Sequence, residues 1–155
     1  MIWLSTEPRG DDYAGLLRAM LHVCDRALLV VRDGIAVNLA CERKLAHLAA
    51  WRLRSDRRAA WPGTTLLSGS ALVTEYRFDE EACAVLTELA DGLYDWQQPS
   101  APEDLALVRE DGRAALVTVA HERDGYLDLT REELARLDQV EASWSALLRR
   151  ISAQS

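Results

Sequence analysis

Residues 105–133 read LALVREDGRAALVTVAHERDGYLDLTREE, and how this stretch is read decides the fold. Two Asp-Gly pairs, Asp111-Gly112 and Asp124-Gly125, divide three runs rich in apolar and β-branched residues. Asp-Gly suits a two-residue type I′ hairpin turn, because both central positions need positive φ. The stretch therefore predicts a three-stranded antiparallel meander over 105–110, 113–123 and 126–129, with a two-residue turn at each pair. Side chains alternate along a strand, so Leu105, Leu107, Leu116 and Thr118 are expected on one face and Val108, Val117, Val119 and His121 on the other. Thr130-Arg-Glu-Glu133 follows with the spacing of a capping box, opening a C-terminal helix whose apolar face is Leu134, Leu137, Val140, Trp144, Leu147 and Leu148. Residues 138–142 are where that helix would break.

Working back from the meander, Asp79-Glu80-Glu81 supplies an N-cap and two acids for another helix, with Gly92 as its C′ residue. Thr64 to Phe78 is extended in character, as two short strands or one bulged strand, after a break at Trp61-Pro62-Gly63. Asn38 caps a helix carrying Cys41, Leu45 and Leu48, and the run Arg52 to Arg58 reads as its solvated end. Arg26 to Arg32 brackets an apolar run that suits a central strand buried on both faces. Asp11 and Asp12 precede a stripe of Leu16, Leu17, Met20, Leu21 and Cys24 at helical spacing, and Trp3-Leu4 suits a short opening strand. The whole reads as one α+β domain over 1–155. Its sheet is mixed but mostly antiparallel, with the C-terminal meander at about 105–129 and four or so helices packed on it.

The chain has 155 residues, 49% apolar and 28% charged, which is ordinary for a globular domain. A net charge of −7 argues against a nucleic-acid partner, since phosphate backbones are held by excess Lys and Arg. No apolar run approaches the roughly 20 residues of a membrane helix, and residues 1–12 lack the pattern of a secretion signal, so a cytoplasmic location is expected. Lys44 is the only lysine among 18 basic residues, a bias that suits a GC-rich bacterial genome. Cys24, Cys41 and Cys83 are an odd number without ligand spacing and read as buried apolar residues, so no metal and no cofactor are expected.

Two places could carry function. One is His121-Glu122: if Asp124-Gly125 is a two-residue turn, His121 faces Asp128 across the ladder, and either Asp128 or Glu122 could orient the imidazole as an acid–base group. A cross-strand charge contact is the plainer reading of that pair. The other is Tyr94-Asp95-Trp96-Gln97-Gln98, whose aromatic rings among hydrogen-bonding side chains have the composition of a binding hot spot. Alternatively Tyr94 and Trp96 turn inward and fill the core. No nucleophile elbow, phosphate loop or dinucleotide fingerprint occurs. The expectation is a small acidic protein-binding module of the immunity, inhibitor or adaptor type, acting through an acidic surface and this aromatic loop on a partner protein. The alternative is a small enzyme using His121 with Asp128 or Glu122. A concave polar site at His121 would favour the enzyme, and an exposed Trp96 the binder. Oligomeric state is not legible.

Overall fold

The computed structural model describes residues 1–153. In chain order the elements are β1 (Ile2–Trp3), α1 (Asp11–Met20), β2 (Arg26–Arg32), α2 (Leu39–Leu48), β3 (Arg52–Arg58), β4 (Ala60–Trp61), β5 (Thr64–Thr65), β6 (Ala71–Arg77) and α3 (Glu80–Leu89). There follow β7 (Glu103–Val108), β8 (Ala114–Val119), β9 (Asp124–Leu127), α4 (Arg131–Val140) and α5 (Trp144–Ile151). Seven strands form one sheet in the order β1-β9-β8-β7-β2-β6-β3, and every pairing in it is antiparallel. The remaining two, β4 and β5, make a separate hairpin. The fold is α+β, as the sequence implies.

Alternation in β2 explains the two layers. Ala27 and Leu29 join the larger core with Tyr13, Leu16 and Leu17 of α1, Leu86 of α3, Leu137 of α4 and Trp144 of α5, while Leu28 and Val30 face the opposite way. There they meet Val73, Val108 and Trp61, the last brought over the sheet by the β4–β5 hairpin. Gly63 turns that hairpin at φ 87°, and a Cβ there would collide with Val117 and Val119. Leu105, Leu107 and Leu116 face the helices as the alternation requires, and Val108 faces the hairpin.

The meander stands, but both of its turns differ from expectation. At the first, only Gly112 has positive φ, Gly112 N–H donates to Arg109 O at 2.9 Å, and Arg109 N–H donates to Arg113 O at 3.0 Å. That is a longer loop closed by a glycine in the left-handed region, not a two-residue turn. At the second, Asp124 and Gly125 belong to β9, and the chain reverses earlier through a 3-10 turn at Ala120–Glu122 with Arg123 at φ 55°. The register is Val119 against Asp124 and Leu116 against Leu127. Gly125 is needed for a different reason: a Cβ there would lie 3.0 Å from Val117 O and 3.3 Å from the Tyr94 hydroxyl.

Three further boundaries differ or sharpen. Arg52–Arg58 is not a helix end but the edge strand β3, paired to β6, with Arg54 ion-paired to Glu75 and Ser55 Oγ 2.8 Å from Thr74 Oγ1. An edge strand need not be apolar, and charge along it blocks pairing with another chain. Gly92 is extended rather than left-handed, and α3 ends three residues before it. A Cβ at Gly92 would strike Arg9 and Glu7, so the glycine admits that ion pair. The C-terminal helical stretch does break, between Val140 and Trp144. Its capping box forms as read, with Glu133 N–H donating to Thr130 Oγ1 at 3.1 Å and Thr130 N–H to Glu133 Oε2 at 2.8 Å.

Candidate functional site

The start of β7 carries two consecutive acids turned into the protein. Opposite β2 the register slips: Leu28 pairs with Ala106, yet Val30 pairs with Glu103, so β7 spends one extra residue there. Asp104 takes up the slack at φ 58°, a conformation few side chains other than Asn and Asp adopt readily. The bulge sends its carboxylate inward, where it is fully buried. Oδ1 accepts the Ala120 N–H at 2.9 Å and Oδ2 accepts the Trp61 Nε1–H at 2.9 Å. One carboxylate thus joins the hairpin, the meander and the turn that bears His121.

Glu103 is held less completely. Its side chain is 3% exposed, and Oε1 accepts the Gln98 N–H at 3.3 Å. Oε2 is buried and has no hydrogen-bond partner among the described residues; its nearest cation, Arg32 Nη1, stands at 3.7 Å, beyond hydrogen-bonding distance. Burial first, and the Asp104 charge second, raise the Glu103 carboxyl above the usual range, with Arg32 opposing. The Arg32 guanidinium lies 5.7 Å from the centre of the Trp61 ring.

His121 stands at the outer side of these acids on the 3-10 turn, its side chain 41% exposed and Nε2 3.7 Å from Glu122 Oε1. One ligating atom each of Glu103, Asp104 and His121 lies within 4.8 Å of the others. Beside the histidine opens a cleft of about 430 Å³, bordered by Arg32, Thr64, Thr65, Ser68, His121 and Glu122. A cation, three hydroxyls and an imidazole therefore converge on one concavity. A larger groove of about 550 Å³ runs beside Arg18, His22, Cys83, Thr87 and Glu141. Some of its polar groups already serve one another, His22 with Glu141 at 3.0 Å and Thr87 with Cys83 O at 2.8 Å, and burial pushes the Cys83 thiol up to about 11. That groove offers no reactive thiolate.

The sequence-based sites fare unevenly. His121 does not face Asp128, because the turn comes before the Asp-Gly pair; Asp128 lies past the end of β9, where its N–H donates to Ala115 O at 2.9 Å. Glu122 does stay near His121. The Tyr94 to Gln98 segment is not an exposed aromatic loop. Trp96 is wholly buried and donates from Nε1 to the Tyr13 hydroxyl at 2.9 Å, which in turn donates to Leu86 O at 2.6 Å. Tyr94 is buried too, Asp95 pairs with Arg9, and Gln98 clamps the end of β2, accepting the Arg32 N–H and donating to Arg32 O and Ile35 O. Of the five, Tyr94 and Gln97 make no hydrogen bond from their side chains among the described residues, and the centre of the Tyr94 ring instead lies 5.7 Å from the Arg123 guanidinium. The groups that matter most here, Glu103, Asp104 and Arg32, were missed; two acids directly before the apolar run 105–108 were the available signal.

No protein-family model matches the chain, and no curated protein or solved structure is significantly similar to it.

Proposed function

We propose that this chain binds a small anionic molecule in the cleft beside His121, with Arg32 as the charged recognition group and the hydroxyls of Thr64, Thr65 and Ser68 as further donors. The observation that carries the reading is the convergence of these groups on one concavity. Arg32 makes no hydrogen bond from its guanidinium among the described residues and is only loosely matched to Glu103, so its donors remain available to a carboxylate or phosphate. His121 and Glu122 also line this cleft, 3.7 Å apart and so not hydrogen-bonded to each other, and as separate acid–base groups they are what remains of the enzyme alternative. The test is a backbone amide NMR titration with inorganic phosphate and with citrate. Saturable shifts at Thr64, Thr65, Ser68 and His121, lost in Arg32→Gln, support the reading; shifts scattered over the surface, or unchanged in Arg32→Gln, contradict it.

A second reading, attachment to a partner protein, has one observation in its favour. Trp3 is 51% exposed and its ring sits 5.0 Å from that of Tyr126, beside a shallow depression that includes Glu122 and Asp124. An exposed Trp3 near a half-buried Tyr126 and beside acids has the composition of a binding hot spot. Trp3→Ala abolishing capture of a partner that Arg32→Gln still captures would favour this reading over the cleft.

A further inference from the structure

We propose that Glu103, Asp104 and His121 form a binding site for one divalent transition-metal ion of the zinc class at the inner wall of the same cleft. The inference deepens the ligand-binding reading, on which it rests for its location, and adds a cofactor to it.

Three observations point the same way. The ligating atoms of these three side chains already gather within 4.8 Å. Ligands around one such ion lie about 3 to 4 Å apart, given bonds of about 2.0–2.2 Å, so closure requires a shift of about 1 Å. His121 can supply that shift, since it is the exposed member and sits on a short turn. Second, Glu103 Oε2 is buried without a hydrogen-bond partner, although its side chain is 97% out of solvent. A buried acceptor left open is costly unless something fills it, and a cation does so directly. Third, Asp104 is already oriented as a ligand: the Ala120 N–H and the Trp61 indole each occupy one lone pair of a different oxygen and leave the others free. Such outer hydrogen bonds commonly fix a metal-binding carboxylate.

Charge agrees with geometry. Of the two adjacent buried carboxylates only Glu103 has a guanidinium near it, Arg32 at 3.7 Å, and Asp104 has no ion pair among the described residues, so the cluster holds an unbalanced negative charge that a dication would reverse. One imidazole with two carboxylates suits zinc, cobalt or manganese better than magnesium or calcium, which favour oxygen alone. Arg32 also borders the cleft, so on metal binding it can leave Glu103 for an anion held there. In that state His121 is a ligand and not a base, and proton transfer falls to Glu122.

The test uses the full chain, stripped with EDTA and dialysed, at pH 7.5. Zn²⁺ is titrated by calorimetry and Co²⁺ by its visible absorption, with Mg²⁺ as comparator. The expected result is one equivalent of Zn²⁺ or Co²⁺ bound with micromolar or tighter affinity and at least a hundredfold preference over Mg²⁺. Glu103→Gln and His121→Ala should each weaken binding at least tenfold, His22→Ala should not, and Co²⁺ should selectively shift or broaden the His121 ring signals. Absence of saturable binding at one equivalent, or affinity unchanged in His121→Ala, overturns the proposal. The exposed His121 keeps the test decisive even if Glu103→Gln does not fold. Phosphate titration of the stripped protein separates the two readings: phosphate binding without metal binding sinks the metal site alone, and metal binding without any anion effect sinks the anion reading alone.

Discussion

Strand β7 has an arginine–glutamate pair at each end, and the two pairs are built in opposite ways. Just past its C-terminal end, Arg109 meets Glu133 of α4 through two bonds of 2.7 Å, and its remaining donors reach Asp128 O at 2.6 Å and Ala114 O at 3.1 Å. Glu133 is consequently held down at about 2, first by Arg109 and then also by the Thr130 N–H of the capping box. At the N-terminal end, Arg32 approaches Glu103 no closer than 3.7 Å, one carboxylate oxygen has no hydrogen-bond partner among the described residues, and the carboxyl is raised instead of lowered. Both glutamates are largely removed from water. The difference is that every donor at the first pair is spent on the protein itself, which suits a lock between helix and meander, whereas the second pair keeps capacity for something else.

Breaking the lock should have the largest effect. Arg109→Ala strands Glu133 against a buried set of carbonyls, and loss of one partner from a buried pair costs about 3 to 5 kcal/mol, so urea unfolding should show a midpoint lowered to match. Arg32→Gln should cost less than Arg109→Ala, because it removes a contact that is not a hydrogen bond and the Glu103 carboxyl, already raised, can take up a proton instead of standing as an unpaired buried charge.

Acid should act on the lock next most strongly. Glu133 has an ordinary value of 4.5 and sits at about 2 in the folded protein. Because the folded value is the depressed one, its stabilisation is complete above about 4.5 and is lost as the pH falls through about 2. The amount is about 3 kcal/mol, at about 1.4 kcal/mol per unit. Denaturation between pH 6 and 2 should show this loss, and Glu133→Gln should remove that part of the pH dependence.

Smaller effects sharpen the contrast. Thr130→Ala removes the hydroxyl that accepts the Glu133 N–H at 3.1 Å and should cost about 1 kcal/mol by chemical denaturation. Glu103→Gln should be neutral or slightly stabilising at pH 7, within about 1 kcal/mol, because a carboxyl raised in the folded state is one whose charged form the fold disfavours. A loss of 3 kcal/mol there would show a second lock and not an open site.

The capping box and the meander were legible in the sequence, whereas the Arg109–Glu133 pair that joins them and the open site at Glu103 were not, for a physical reason. Thr130 to Glu133 is a local pattern whose partners lie within one helical turn, and the apolar alternation around residues 105–119 is equally local, so helix start and meander could both be read. Asp104 acts through a bulge, and a bulge leaves the composition of a strand unchanged while reversing where one side chain points. The second Asp-Gly pair misled for a related reason: Gly125 answers to the close approach of Val117 O and Tyr94, which no local pattern encodes. Trp96 and Tyr94 look alike whether they face water or Tyr13, so loop composition could not say that the aromatic segment closes the core. In β3 the charges hid a strand because an edge lacks the apolar alternation by which strands are recognised.

The most direct measurement is a carbon-detected NMR titration of the glutamate side-chain carboxyls, assigned with Glu103→Gln and Glu133→Gln, from pH 8 to the lowest pH at which the protein stays folded. The account predicts that Glu103 titrates above its ordinary 4.5, and that Glu133 remains ionised down to about 2. Glu103 titrating at or below 4.5 would mean that its open oxygen is matched after all, and the distinction between a closed pair and an open one would fall.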